Sequence, residues 1–432
     1  MRLGDLLIAA KLVTAKQVEA ALARQVSRGG RLGDNLVAVG AIDQNSIDAF
    51  LAHLPREPTT IAETGIAEAD LRNLLLKLIY VGHLETVRQF VDAIKLPQQL
   101  VAELVRGAVE RSLLRAAGSE GQALDMRYGM TEGGQRAAVD ALGLSQYAGP
   151  APVSLEDFAH RVQLQKITNE LVTWERIRDA FSGLTIGERF IEQVGPAVNS
   201  GLAILLYGPP GNGKTSIALR LGSIFDDVIY VPHAISVEGQ VIHVYDPSLH
   251  MLPAKPSAGE GAPSAVRREA FDARWVPCKR PFVVTGGELT LEMLDLAFSA
   301  KANFYEAPLH VKALGGCFII DDFGRQLVAP ADLLNRWIGP LERRVEYLKL
   351  HTGKSFGFPF EELVIFSTNM EPEDLMDQAF LRRIPYKLAV MGPTLEPRFI
   401  DYAIDNLRVT SSGDQPMIPT PERFGPGQGR RR

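Results

Sequence analysis

The sequence predicts a multidomain chain: a small all-α unit at the N-terminus, a helix-rich middle unit, and an α/β module built on a doubly wound parallel sheet. Three observations predict it. Residues 208–215 read Gly-Pro-Pro-Gly-Asn-Gly-Lys-Thr, between an apolar run, Ala203 to Tyr207, and an apolar-periodic stretch, Ser216 to Phe225. That is strand, glycine-rich loop and helix. Two later apolar runs, Cys317 to Ile320 and Val364 to Phe366, end in polar residues, as buried strands of an α/β sheet do. Residues 1–58 instead repeat: Arg2-Leu3-Gly4-Asp5 recurs as Arg31-Leu32-Gly33-Asp34.

In the repeat, each copy continues with apolar pairs (Leu7-Ile8 and Leu12-Val13; Leu36-Val37 and Ala41-Ile42) and then a helical segment. Each copy is too small to bury its apolar face alone, so the two are expected to pack together as a helical module. The pattern resembles the MshEN-type N-terminal domain of type II secretion and type IV pilus ATPases, many of which bind cyclic di-GMP. Carried over by position, Arg2, Leu3, Gly4 and Gln25 match the first motif, and Arg31, Leu32, Gly33 and Gly40 the second. The resemblance implies arginines against guanine faces or edges and glycines that admit close approach. Two positions depart from it: Lys11 stands in place of a Gly, and Leu54 in place of the final Gln. The alternative is a docking module with no ligand.

Prolines at 55 and 58 mark a boundary. Across 64–148, helical patterns (from Ala69, Thr86 to Ile94, Pro97 to Leu114) precede a short strand at Met126 to Met130. Thr131 then stands as the N-cap of a further helix. This order resembles a winged-helix domain. Nine basic and nine acidic side chains lie between 69 and 145, so no basic excess draws phosphates, and protein contact is preferred to nucleic acid. Residues 149–183 are expected to form a stiff linker and entry helices.

The module over 184–410 carries the chemistry. In a loop of this pattern, backbone N–H groups of Gly208, Pro209, Pro210, Gly211, Asn212, Gly213, Lys214, Thr215 and Ser216, proline nitrogens excepted, converge on phosphates at a helix N-terminus. Lys214 reaches the β- and γ-phosphates of ATP, and the Thr215 hydroxyl sits on Mg²⁺. Asp321, ending an apolar strand, is the second Mg²⁺ residue, and Asp322 is placed to polarise the attacking water. Thr368-Asn369 ends another strand, and Ala379-Phe380-Leu381-Arg382-Arg383 follows. In this order the segments resemble those of AAA+ ATPases. The resemblance implies that Asn369 orients the water and that Arg382 or Arg383 is an arginine finger acting across a ring of copies. Asp322 departs from the commoner Glu and is shorter by one methylene. Thr285 to Thr290, Phe304 to Pro308 and Asp321 to Gln326 resemble bacterial ATPases described as chaperone-like and pilus-associated. The AAA+ lid is expected to be incomplete, with Arg398 on one surviving helix (Leu395 to Leu407) and a basic, Pro/Gly-rich disordered tail over 411–432. Asp246 to Ala265 reads as a surface loop, and Tyr305 as a core residue.

A net charge of −5 offers nothing global to nucleic acid or an anionic membrane. Two cysteines, Cys278 and Cys317, fit a reducing cytoplasm, and no apolar stretch is long enough to span a bilayer. The reading is a cytoplasmic, ring-forming ATPase that uses ATP and Mg²⁺ to remodel or regulate a partner protein, in pilus or secretion machinery, under cyclic di-GMP. An ATP-binding switch with little turnover and a DNA-acting ATPase are the alternatives.

Overall fold

The computed structural model describes residues 3–119, 126–184, 186–253, 271–375 and 378–391. Arg2, Arg398, the expected lid helix and the tail over 411–432 lie outside them.

Four helices form the N-terminal repeat: α1 (Leu3–Ala9), α2 (Ala15–Arg28), α3 (Leu32–Ala38) and α4 (Gln44–His53). Thr14 and Asp43 cap α2 and α4 at equivalent places in the two copies, each accepting a backbone N–H three residues on. Leu6, Leu7, Ala21, Leu36 and Ile47 close the shared core. The turns after α1 and α3 both need left-handed backbone, at Lys11 (φ 58°) and Gly40 (φ 68°). Gly serves that conformation without strain and Lys does not.

The middle unit contains the expected helices and the strand at Met126 to Met130, together with a strand at Leu114 to Ser119 that the sequence pattern does not mark. Helices α5 (Glu68–Gly82), α6 (Val87–Ile94) and α7 (Gln98–Glu110) precede an antiparallel pair, β1 (Leu114–Ser119) and β2 (Met126–Met130), and then α8 (Glu132–Leu144). Thr131 caps α8 by accepting from Gly134 N. The stretch expected to be linker does more than link. It holds β3 (Val153–Ser154), α9 (Leu155–Leu164) and α10 (Trp174–Ala180), and β3 joins a sheet described below.

The α/β module opens with α11 (Glu188–Ser200), β4 (Ile204–Tyr207) and α12 (Lys214–Ser223). There follow β5 (Val228–Pro232), β6 (Ala234–Val237), β7 (Gln240–His243), β8 (Trp275–Lys279), β9 (Phe282–Thr285), β10 (Ala297–Ser299) and β11 (Phe304–Glu306). The described chain ends with α13 (Leu309–Lys312), β12 (Cys317–Ile320), α14 (Pro330–Arg343), β13 (Val345–Lys349), β14 (Ser355–Pro359), β15 (Leu363–Thr368), α15 (Pro372–Leu375), α16 (Gln378–Leu381) and β16 (Tyr386–Ala389).

Five of these strands form the central sheet, in the order β16-β4-β15-β12-β9, with every pairing parallel. Alternation along each strand covers both faces. Ile204, Leu206, Ile319 and Ile365 pack with Val194, Val198, Ile217 and Leu221 of α11 and α12. Leu205, Phe318, Ile320, Val364 and Phe366 pack with Leu333, Leu334 and Trp337 of α14 on the other side. The sheet is therefore doubly wound, and its strands read as apolar runs because both faces are buried. β4 sits between β15 and β16, so the chain order reverses around the glycine-rich loop, the usual place for a ligand in such sheets.

A second five-stranded sheet, β10-β11-β7-β6-β3, is built from insertions on either side of β9 together with β3. The sequence pattern does not predict this sheet. Its strands are three to four residues long at most, below the length at which alternation is legible. Asp246 to Ala265 was expected to be a surface loop, and it is described only as far as Pro253. Its first residues are anchored: Asp246 accepts from Lys312 Nζ at 2.9 Å, and His250 is buried with Nε2 2.9 Å from Lys312 O. Tyr305 is in the core as expected, its hydroxyl against His351 Nδ1.

Candidate active site

The parallel sheet brings its polar strand ends to one edge. Gly208 leaves β4 with φ 136°, and a Cβ there would stand 2.6 Å from Val390 O, so only glycine lets the loop pass β16. Asn212 ties the loop to that same carbonyl, its Nδ2 donating at 3.1 Å, while Val390 N donates to Tyr207 O at 2.8 Å. Gly213 (φ 78°) is the N-cap of α12 and has no side chain to cap it, which leaves first-turn N–H groups facing whatever binds there. Pro209, Pro210, Gly211, Thr215 and Ser216 are exposed on the loop and the first turn.

Lys214 is only 6% exposed, folded back so that Nζ donates to Gly208 O and Pro209 O, both at 2.8 Å. Burial pulls its ammonium below the ordinary lysine range, and Asp322 and Asp321 oppose the shift. A cation held only by carbonyls is a place where phosphate oxygens are better partners. Thr215 Oγ1 donates to Asp321 Oδ2 at 2.7 Å, so the hydroxyl and the carboxylate expected to share a metal meet across 106 residues. Hard oxygen donors of this kind suit Mg²⁺.

Asp322 takes left-handed backbone (φ 48°) at the end of β12 and is exposed at the same edge. Asn369, at the end of β15, donates from Nδ2 to Asp322 Oδ1 at 3.2 Å. One carboxylate oxygen is thereby oriented. The adjacent strand end contributes too, since Asp321 N donates to Thr285 O at 2.8 Å.

Gln326, which the sequence marks only as the end of the Asp321 to Gln326 segment, holds the acidic turn together. Its Oε1 accepts from Gly324 N at 2.8 Å, and its Nε2 faces Asp321 O (3.1 Å), Asp322 O (3.4 Å) and Gly286 O (3.5 Å). One amide therefore joins the turn carrying both acids to the loop after β9. Its signal in the sequence was an amide five residues beyond the first acid, too generic to single out. The closure of β16 on the loop was missed as well, because Tyr386 to Ala389 carries a lysine and no long apolar run.

The expected arginines do not join this cluster. Arg383 Nε donates to Glu342 Oε1 on α14 at 2.7 Å, and Arg382 is exposed beside it. Both line a shallow surface cleft with Leu202, Leu341 and Pro385.

In the N-terminal repeat, Leu3 and Gly4 are buried in α1, and a Cβ at Gly4 would stand 2.8 Å from Val18 Cγ1, so Gly4 lets two helices approach. Leu32 packs against the core and Gly33 is buried. Gln25 is buried and its Nε2 donates to Gly30 O at 2.8 Å, while Asn35 Nδ2 holds Gly29 O and Arg31 O. Arg31 is exposed. Of the eight residues matched to the cyclic di-GMP motifs, the seven described thus include one exposed cation, Arg31; Leu3, Gly4, Gln25, Leu32 and Gly33 are engaged in the repeat's own packing, and Gly40 forms the left-handed turn after α3.

No protein-family model matches the chain, and no curated protein sequence matches it. Among solved structures, NtrX from Brucella abortus aligns with 55% of this chain and 45% of its own length, at 11% identity and TM-score 0.30. NtrX in complex with ATP gives 55%, 46%, 12% and 0.29 in the same order. A complex of the BchI and BchD subunits of magnesium chelatase aligns over 58% of this chain and 68% of that one, at 17% identity and TM-score 0.29. This chain therefore spans less than half the length of the NtrX structures. At these values the likeness carries no functional argument, which rests on the residues themselves.

Proposed function

We propose that the chain binds ATP with Mg²⁺ at the 208–216 loop and hydrolyses it, as an AAA+-type ATPase. One observation carries the reading: Lys214, Thr215–Asp321 and Asp322–Asn369 come from three separate strand ends and converge on the only loop of the phosphate-binding pattern in the sequence. Loop N–H groups and the α12 N-terminus hold the phosphates, and Lys214 exchanges its two carbonyl partners for β- and γ-oxygens. Mg²⁺, held by Thr215 and Asp321, supplies neutralisation of phosphate charge. Asp322 takes the proton of the attacking water, and Asn369 fixes the direction in which it does so. Arg382 is the residue free to approach a neighbouring copy's phosphates, which supports the ring reading.

The second reading, a switch that holds ATP and turns over slowly, is favoured by a specific feature. Asp322 is a short acid with one oxygen already bound to Asn369. Remodelling of a partner protein, in pilus or secretion machinery, follows from the sequence resemblance, with the α5–α8 unit as a winged-helix-like contact surface. Cyclic di-GMP control rests on Arg2 and Arg31, since the other matched positions have structural partners.

Binding of a fluorescent ATP analogue tests the proposal. Lys214→Ala removes the loop's only ammonium and is expected to weaken binding by at least about tenfold, the loss of one charge-assisted contact. Equal binding by wild type and variant would refute the site.

A further inference from the structure

Lys11 and Leu54 break the pattern of the N-terminal repeat, and nothing in the proposed chemistry uses them. Both lie where the repeat meets the rest of the chain. Lys11 holds left-handed backbone that its counterpart Gly40 holds as glycine, and its ammonium reaches Asp226, three residues beyond the end of α12. Leu54, where the pattern has Gln, is 8% exposed and belongs to a buried cluster that continues without a break into Phe158, Ile229, Tyr230 and Trp275. A glutamine there would bring an amide into an apolar junction.

Neighbouring contacts fasten the same seam. Arg161, on α9, donates to His53 O. Asp272 N donates to Pro55 O at 2.9 Å, and Arg56 bridges to Phe271. Asp226 is shared: Arg176 donates to it at 2.7 Å and to Ile224 O at 2.9 Å. The grip is uneven. The Leu54 end is buried, whereas the Lys11–Asp226 pair is 73% and 46% exposed and is flanked by clefts of about 780 and 670 Å³. The repeat is therefore held by a buried seam at 53–56 and by an exposed ion pair at Lys11.

We infer that the N-terminal repeat is an intramolecular docking unit seated on α9, β5 and β8 and latched to Asp226 at the exit of the phosphate-loop helix, with Lys11 and Leu54 as the residues that convert a ligand-binding pattern to this use. Because α12 begins with Lys214 and Thr215 and ends three residues before the latch, the position of the repeat and the setting of the nucleotide loop are mechanically linked. This consequence rests on the ATPase reading; the docking does not.

Hydrogen exchange on the full chain without nucleotide tests the docking. Lys11→Gly suits the left-handed turn better than lysine and removes only the reach to Asp226, so loss of folding is not the expected result. Lys11→Gly and Lys11→Glu are expected to speed exchange in α1 and in residues 219–230, about two- to fivefold for an exposed pair, while Lys11→Arg retains protection. Leu54→Gln is expected to do the same at 53–56. Unchanged exchange in Lys11→Gly and Lys11→Glu would overturn the latch. Phosphate release by the same proteins after ATP and Mg²⁺ are added separates the two claims. Altered exchange with no turnover in wild type would leave the docking standing and sink the ATPase reading. Altered exchange with an unchanged turnover rate would sink the mechanical link alone.

Discussion

Among single residues, Gln326 carries more of the site than its place in the sequence suggests. It touches neither the expected phosphates nor the expected metal; it fixes the main chain of Asp321 and Asp322 and spans to Gly286. Gln326→Leu removes bonds worth roughly 0.5–1.5 kcal/mol each and loosens the acids, so turnover is expected to fall about tenfold. Affinity for ATP should be unchanged, since Lys214 and the loop are untouched. Steady-state kinetics beside analogue binding would show that split, and a parallel loss of both would make Gln326 a folding residue instead. Lys214 illustrates the opposite case, a residue whose role is legible from the motif and whose setting is not. Only the structure shows the ammonium turned onto Gly208 O and Pro209 O.

At the scale of elements, β15 joins two chemistries. Its last residue precedes Asn369, and its first is preceded by Glu362, a carboxyl that burial and the nearby Glu346 push well above the usual range. The folded chain then holds this proton to a higher pH than the unfolded chain does. The stability it contributes is complete below the unfolded value, about 4.3, and declines as pH rises toward the folded value. Glu362→Gln should therefore melt close to wild type near pH 4 and above it at pH 8, by thermal denaturation across that range. Equal melting at both would show that the carboxyl is not buried as described. The elements also show what sequence can reveal. Strands β4, β12 and β15 were legible because a sheet covered on both faces imposes unbroken apolar runs, and Thr131 announced α8 by capping it. The second sheet was not, because β3, β6, β7, β10 and β11 are too short to show a period, and the β3–β6 and β7–β11 pairings that join its hairpins span long separations. The destination of Arg383 was hidden for a related reason: its partner Glu342 is 41 residues away, and no local pattern links them.

For the whole molecule, the arrangement places a nucleotide loop at one sheet edge, a helical repeat latched behind the loop's helix, and an exposed Arg382 on the outer surface. If Arg382 serves a neighbouring copy, mixing Lys214→Ala subunits with Arg382→Ala subunits should restore part of the phosphate release that neither shows alone. Activity no greater than the sum of the two would confine the arginine to its own chain. The central claim is narrower, that ATP bound at the 208–216 loop is hydrolysed with Asp322 as base, and it is tested most directly by measuring ATP binding and single-turnover phosphate release together in wild type and Asp322→Asn. Asparagine keeps the shape and the contact with Asn369 but cannot take a proton. The account predicts retained binding with phosphate release slowed about 10²- to 10⁴-fold. Release at the wild-type rate from Asp322→Asn, or a wild-type chain that binds no ATP, would contradict it.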